Sequence, residues 1–180
     1  MALFFIIAAV ILRLVPHLPN FAPIAALALF GGTYLNKKYA LLIPLAAMLI
    51  SDYFIGFYSP WIMLSVYGSF MMIGLIGLWL KNHKTLPNII GSSLFGSIIF
   101  FLVTNFVVWA VPHSMYPHNL QGLMQSYIMG LPFFKNTLAG DLFYVATMFG
   151  LYELVLWLTV KRLNPAKAGS PGPRPQRGRA

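Results

Sequence analysis

The sequence contains no cysteine and very few acidic residues. Its 180 residues include only 3 aspartates and glutamates, and charged residues make up 8% of the chain. The absence of cysteine excludes disulfides, thiolate metal sites and cysteine nucleophiles. Soluble domains carry about a quarter charged residues. The composition therefore excludes an ordinary soluble domain.

Apolar residues are abundant and occur in long runs. They form 59% of the chain, and each of six runs bounded by helix breakers is a candidate membrane helix. The predicted spans are residues 1–15, 21–35, 39–57, 62–80, 89–111 and 137–160. We therefore predict an all-α integral membrane protein, a bundle of six transmembrane helices over residues 1–163. Residues 164–180, rich in proline, glycine and arginine, are expected to be a disordered basic tail.

The basic residues predict the orientation of this bundle. If the N-terminus is cytoplasmic, all of the 12 lysines and arginines except Arg13 and Lys135 lie on the cytoplasmic side, as the positive-inside rule requires. Both termini are then cytoplasmic, and the chain is a multi-pass protein of the cell inner membrane. The same rule accounts for the net charge of +9, so we expect no nucleic-acid partner. Arg13 needs another explanation.

Polar residues gather in the outer half of the predicted bundle. Ionisable groups inside a membrane are costly and usually face a cavity or a partner. The pattern predicts a pocket that opens to the outside and binds a small organic solute with a flat or ring-shaped part. The candidate binding residues are Arg13, His17, Asn20, Asp52, Asn105, Trp109, Tyr116, His118, Asp141 and Tyr144.

Helical spacing suggests how these side chains are arranged. Phe101, Asn105 and Trp109 are four residues apart on the fifth predicted helix and share a face. Asp141 and Tyr144 are three apart on the sixth. The outer segment 112–136, which contains Tyr116 and His118, is expected to form a lid over the pocket.

Several of these residues have a structural alternative. Arg13 and Asp52 can form an ion pair between the first and third helices, and the aromatic stripe can serve packing or interfacial anchoring. Asp141 can cap the sixth helix, because it falls in the first predicted turn. Glu153, in the inner half, is expected to snorkel or to pair with a basic residue of the tail.

Enzyme motifs are missing from the sequence. It has no G-x-S-x-G serine, no H-E-x-x-H, no P-loop and no Rossmann glycine pattern. We therefore expect no enzymatic activity, no cofactor and no metal, and any pumping must use energy from a partner. Ala22 and Ala26 form a small-xxx-small pair, which suits either docking of a partner or packing within the chain.

Five segments in order resemble a little-characterised bacterial membrane family. They are RLVPHLPNFAPIAALALFGG, LISDYFIG, FFLVTNFVVW, YPHNLQGL and LPFFKNTLAGDLFY. That family is similar to the substrate-binding S components of energy-coupling-factor (ECF) transporters. The resemblance spans about residues 13–149. It implies uptake of a vitamin or similar micronutrient, either alone or with an ECF-type transmembrane scaffold and its ATPases.

Two features depart from the S-component pattern. S components usually carry their small-residue docking motif on the first helix, whereas here it lies on the second. A cobalamin-related branch has a cobalt-ligating cysteine that this cysteine-free chain lacks. The leading hypothesis from the sequence is a membrane transport protein for a small organic solute. The alternative is a non-transporting membrane assembly or accessory subunit.

Overall fold

The computed structural model describes residues 2–15 and 18–163 of the chain. Within these ranges the fold is all-helical, with six helices and no strand, which confirms the predicted fold class at that level. The helices are α1 (Ala2–Leu14), α2 (Ile24–Tyr34), α3 (Leu42–Ile55), α4 (Pro60–Leu80), α5 (Leu86–Ala110) and α6 (Leu120–Leu163). The tail of residues 164–180, predicted to be disordered, lies outside the described residues.

Three of the helices are long and apolar enough to cross a membrane. They are α4, α5 and α6; α4 and α5, at 21 and 25 residues, measure about 31 and 37 Å against a hydrocarbon core of about 30 Å. The helices α1, α2 and α3 are apolar but shorter, at 13, 11 and 14 residues. Many large apolar side chains lie on the outside of the bundle, while serines and aspartates are buried within it. This distribution indicates a membrane protein.

The helix α6 differs most from the sequence prediction. It runs for 44 residues from Leu120, whereas the prediction placed its start at residue 137 and assigned residues 112–136 to a lid. The lid is therefore wrong for residues 120–136. Pro132, together with Gly122 and Gly130, favoured a loop, yet Pro132 lies inside the helix. Proline is tolerated in membrane helices because neighbouring groups compensate the lost hydrogen bond.

The short helix α2 lies at the centre of the bundle. Its residues 25–33 are all buried, and it packs against each of the other five helices. At 11 residues it is only about 16 Å long, so longer neighbours such as α4, α5 and α6 extend past it. The candidate functional site lies beside its N-terminal end.

Glycines allow α2 and α4 to cross at close range. A Cβ atom built on Gly32 would lie 2.8 Å from the Cα of Gly77, and one built on Gly77 would lie 2.9 Å from the Cα of Gly32. The Thr33 hydroxyl lies 3.2 Å from the Gly77 carbonyl and 2.8 Å from the Leu29 carbonyl. Small residues at such crossings let two backbones approach within the membrane. The crossing therefore fixes the position of the central helix.

Replacing Gly77 with alanine is expected to destabilise the bundle by about 1–3 kcal/mol, as overpacking does, because the new methyl group meets the backbone of α2. Gly68→Ala is the matched control on the same helix, since a Cβ atom there has nothing within 4 Å. Thermal unfolding of both variants in detergent checks the prediction. Equal midpoints would contradict a close crossing at Gly77.

Candidate functional site: a cavity at the end of the central helix

A cavity of about 450 Å³ lies beside the N-terminal end of α2. Its volume falls in the range of small-molecule sites, about 300–1,000 Å³. The polar and aromatic residues that line it are Arg13, Asn20, Phe70, Phe100, Thr137 and Asp141. The rest of the lining is apolar. The cavity thus combines an apolar wall with a few polar groups, as ligand sites do.

The start of α2 leaves room for this cavity. Ala22, Ile24 and Ala25 line it at the point where the chain enters the helix, and the two alanines project little volume. Asn20 has a φ of 62°, a left-handed conformation that asparagine adopts more readily than most residues. The chain can therefore turn from α1 into α2 while the Asn20 amide stays beside the cavity.

Arg13 reaches the cavity from α1 and is held in place by α3. Its Nη2 donates to Asp52 Oδ1 at 2.5 Å, and its Nη1 donates to the Met48 carbonyl at 3.1 Å and to the Ser51 hydroxyl. The other oxygen of Asp52 accepts a hydrogen bond from the Tyr67 hydroxyl at 2.6 Å. The side chains of Arg13 and Asp52 are only 11% and 1% exposed. They form the ion pair that the sequence left open as an alternative, and of the two only Arg13 lines the cavity.

Tyr58 lies in the connection between α3 and α4, close to this ion pair. Burial raises the pKa of Tyr58, the Asp52 carboxylate raises it further, and Arg13 lowers it. The hydroxyl therefore stays neutral at physiological pH.

Asp141 reaches the cavity from α6 and is 3% exposed. The Ser97 hydroxyl of α5 lies 2.5 Å from its Oδ2. Because α6 begins at Leu120, Asp141 lies about six turns inside the helix. The proposed role as a helix cap, and the position within one turn of the helix start, are therefore wrong. Thr137, one turn earlier, lines the same cavity.

A second, smaller cavity of about 280 Å³ adjoins the first. The two share Asn20, Phe100 and Thr137. Asn105 lines the smaller one; its amide donates to the Phe101 carbonyl at 2.8 Å. Asn105 therefore lies in the predicted region but not in the same cavity as Arg13 and Asp141.

Four other predicted site residues line neither of these two cavities; they are Trp109, Tyr116, His118 and Tyr144. Trp109 donates from Nε1 to the Pro117 carbonyl at 2.9 Å, and its ring lies 5.9 Å from that of His118. This contact ties the end of α5 to the connection that follows, where Tyr116 is half-buried. Tyr144 packs against Phe21, with ring centroids 5.6 Å apart.

Two further predictions concern the start of the chain. His17 lies outside the described residues. Ala26 is fully buried within the chain, and Ala22 lines the larger cavity. Of the small-residue pair, Ala26 therefore offers no surface to a partner, while Ala22 is half-buried.

Sequence reasoning missed several residues that build the site, namely Phe70, Ser97, Phe100 and Thr137. Ser97 precedes Asn105 by eight residues and so lies on the predicted stripe of α5. That stripe packs against α6, where the rings of Phe101 and Phe134 are 4.5 Å apart. The four-residue spacing of that stripe could have identified Ser97 as a residue that contacts α6. The two phenylalanines lie in apolar runs, and nothing in the pattern separates them from ordinary core residues.

Glu153 lies toward the opposite end of the bundle. It accepts hydrogen bonds from the Tyr34 hydroxyl at 2.6 Å and from Lys84, and the Lys84 ammonium lies 4.9 Å from the centre of the Tyr34 ring. The described counter-charge of Glu153 is therefore Lys84, in the connection between α4 and α5; the tail, which the prediction offered as an alternative to snorkelling, lies outside the described residues. This cluster lies away from both cavities.

The lining of the larger cavity suits hydrogen bonding of a ligand. Arg13 and the Asn20 amide can donate to an acceptor, while Asp141 and the Thr137 hydroxyl can accept from a donor. Within residues 2–15 and 18–163, no group of three histidine, aspartate or glutamate side chains is arranged to hold a metal ion.

The family model that matches this chain is DUF6580, described as a family of unknown function, and the match covers residues 1–165. Because the match covers most of the 180 residues, the chain belongs to this family. No curated protein and no solved structure matches it. The family description names no activity.

Replacing Asp52 with asparagine is expected to destabilise the protein by about 3–5 kcal/mol, because it leaves the largely buried Arg13 without its counter-charge. The double variant Arg13→Gln/Asp52→Asn should be more stable than the sum of the two single changes implies. Unfolding in detergent of the wild type, both single variants and the double variant gives the coupling. Strictly additive losses would contradict a structural ion pair.

Proposed function

We propose that this member of the DUF6580 family binds a small organic solute inside the bundle and carries it across the cell inner membrane. The observation that carries this proposal is the cavity of about 450 Å³ in which Arg13, Asn20, Thr137 and Asp141 meet an aromatic wall. Polar and ionisable residues within membrane helices normally line substrate paths or pair with one another. Here Arg13 and Asp52 already pair with each other. Asp141 belongs to the cavity lining but not to that pair.

The proposed topology has six membrane-inserted helices with both termini in the cytoplasm. The positive-inside rule supports it, because it places the lysines of the α2–α3 and α4–α5 connections on the cytoplasmic side. The connection between α1 and α2 then faces the outside. Exposed Asn20 in that connection lines the cavity, so a solute enters from the outer side.

The lining suggests which features the solute has. The rings of Phe70 and Phe100 are stacked, with centroids 5.2 Å apart, and both line the cavity, which suits a flat or ring-shaped part. A carbonyl or similar acceptor would bind Arg13, whose charge Asp52 offsets. A donor would bind Asp141 and Thr137. A vitamin or similar micronutrient has both kinds of group.

The energy for uptake would come from a partner such as an ECF-type transmembrane scaffold with ATPases, since the sequence has no nucleotide-binding motif. Buried Ala26 is not accessible to such a partner. Docking would instead use the outward faces of other helices, which carry large apolar side chains.

A second candidate function is a non-transporting assembly or accessory subunit. The observation that favours it is the complete network of Arg13, Asp52 and Tyr67, in which both carboxylate oxygens are hydrogen-bonded. In that case the buried charges serve only to hold α1, α3 and α4 together, and no solute is retained.

Thr137→Val is expected to reduce retention of the solute about twofold to tenfold, since one ligand hydrogen bond contributes about 0.5–1.5 kcal/mol. Native mass spectrometry of protein purified from its own membranes measures the retained molecule. Thr147→Val is the matched control on the same helix: like Thr137, Thr147 bonds the carbonyl four residues earlier, but it lines neither cavity.

The two candidate functions predict different mass spectra. Transport predicts a bound small molecule in the wild type and in Thr147→Val, with less in Thr137→Val. Wild-type protein that retains no molecule would count against solute binding and in favour of the accessory role.

A further inference from the structure

Asp141 is the acidic residue of this chain for which the structure shows no counter-charge. The sequence has 3 acidic residues, and the described ion pairs account for Asp52 with Arg13 and for Glu153 with Lys84. Asp141 is 3% exposed and takes part in neither pair. An isolated buried carboxylate is strongly disfavoured in an apolar environment.

The Ser97 hydroxyl indicates how Asp141 avoids this penalty. Its Oγ lies 2.5 Å from Asp141 Oδ2 and 3.0 Å from the Ser93 carbonyl. A hydroxyl has one hydrogen to donate and can also accept. If Asp141 is ionised, both neighbours are acceptors and compete for that hydrogen. If Asp141 is protonated, it donates to Ser97, Ser97 donates to Ser93, and both contacts are full hydrogen bonds.

In the described residues, the elements packed around this carboxyl provide no other charge that would pair with it. The helix α6 packs against α1, α2 and α5; α5 has no titratable residue, and α2 has only Tyr34, at its far end. Across the cavity lies Arg13, already paired with Asp52. On α6 itself, Tyr144 is one turn away and Lys135 is exposed. His17, in the α1–α2 connection, lies outside the described residues.

Building on the proposed function, we infer that Asp141 carries a proton in the empty cavity and that a monocationic amine solute replaces this proton when it binds. The ammonium group of the solute pairs with the Asp141 carboxylate, and the proton leaves Oδ2 for the solvent. No bond within the solute changes. One proton is released for each amine bound.

Counting charges supports a monocation as the solute. Arg13 and Asp52 cancel in both states. The carboxylate of Asp141 is neutralised by a proton in the empty state and by the ammonium in the bound state. Counted over its described residues, the site therefore has no net charge in either state, which an environment of low dielectric constant favours. A neutral or anionic solute would leave the proton on Asp141 and release none.

The first part of the test concerns the empty protein. Thermal unfolding of the wild type and of Asp141→Asn is followed in detergent from mildly acidic to mildly alkaline pH. Because the proton stabilises the folded state, wild-type stability should fall as the pH rises through the titration of Asp141. Asparagine imitates the neutral acid, so the variant should match the wild type at low pH and exceed it at high pH.

The second part uses benzylamine as the probe and benzyl alcohol as its neutral analogue. Benzylamine should raise the unfolding midpoint of the wild type and release up to one proton per molecule bound, as read by a pH indicator in weak buffer. Benzyl alcohol should release none, and Asp141→Asn should release none with either probe. An infrared difference spectrum of the wild type needs no variant: benzylamine should remove the carbonyl band of a protonated carboxyl.

Three results would overturn the inference. They are a stability difference between wild type and Asp141→Asn that does not change with pH, binding of benzylamine without proton release, and failure of benzylamine to bind. None of them decides the proposed function, which depends on whether purified protein retains a solute that Thr137→Val loses. The two proposals can therefore fail separately.

Discussion

The central constraint of this structure is a buried helix too short to fill the bundle that surrounds it. Residues 25–33 of α2 are enclosed, and the close crossing of Gly32 and Gly77 fixes α2 against α4. Longer neighbours continue past the N-terminal end of α2, where small side chains leave the space between them unfilled. The cavity is thus a consequence of helix length and of the alanines at the start of α2. The polar residues of three other elements, the α1 helix, the α1–α2 connection and α6, then converge on it.

The few charged groups inside the bundle differ in how completely they are paired. Arg13 and Asp52 satisfy each other, and Ser51, Tyr67 and the Met48 carbonyl occupy further donors and acceptors. This arrangement makes Arg13 a rigid part of the cavity wall. Moving Arg13 would break a buried ion pair and leave an uncompensated charge inside the bundle. Asp141 has only a serine as its described partner. One acid therefore contributes to the scaffold, while the other has no described counter-charge.

The sequence predicted the bounds of a helix best where its hydrophobic run ends at a strong helix breaker. The predicted spans 62–80 and 89–111 lie within three residues of α4 and α5, because Ser59-Pro60 and Thr85 mark helix starts. The start of α6 was wrong because Pro132 and two glycines outweighed the apolar pattern around them. Within a membrane the backbone has no water to bond, so a helix continues through residues that would end it in solution.

The site was predicted best where a charge needed an explanation, although uncharged Asn20 was also predicted and lines the cavity. Arg13 was identified because the positive-inside rule did not account for it, and Asp52 and Asp141 because buried acids are rare; all three lie at or beside the cavity. Trp109 and Tyr144 were included by helical spacing, and Tyr116 and His118 as parts of the expected lid. Trp109 instead contacts the connection after α5, where His118 lies, and Tyr144 packs against Phe21. Phe70 and Phe100 supply the aromatic wall, but apolar residues of a membrane chain carry no such signal.

The pairing of Arg13 also bears on which solutes the cavity would accept. A guanidinium whose charge is offset by Asp52 at 2.5 Å attracts an acceptor group but binds a free anion less strongly than an isolated arginine would. It still disfavours a second positive charge close by, so a dication would be opposed on the Arg13 side of the cavity. Discrimination would then depend on the distance between an acceptor and a single amine in the solute. Because Arg13 and Asp141 belong to helices held by different partners, α3 and α5, that distance is set by the packing of the whole bundle rather than by either residue alone.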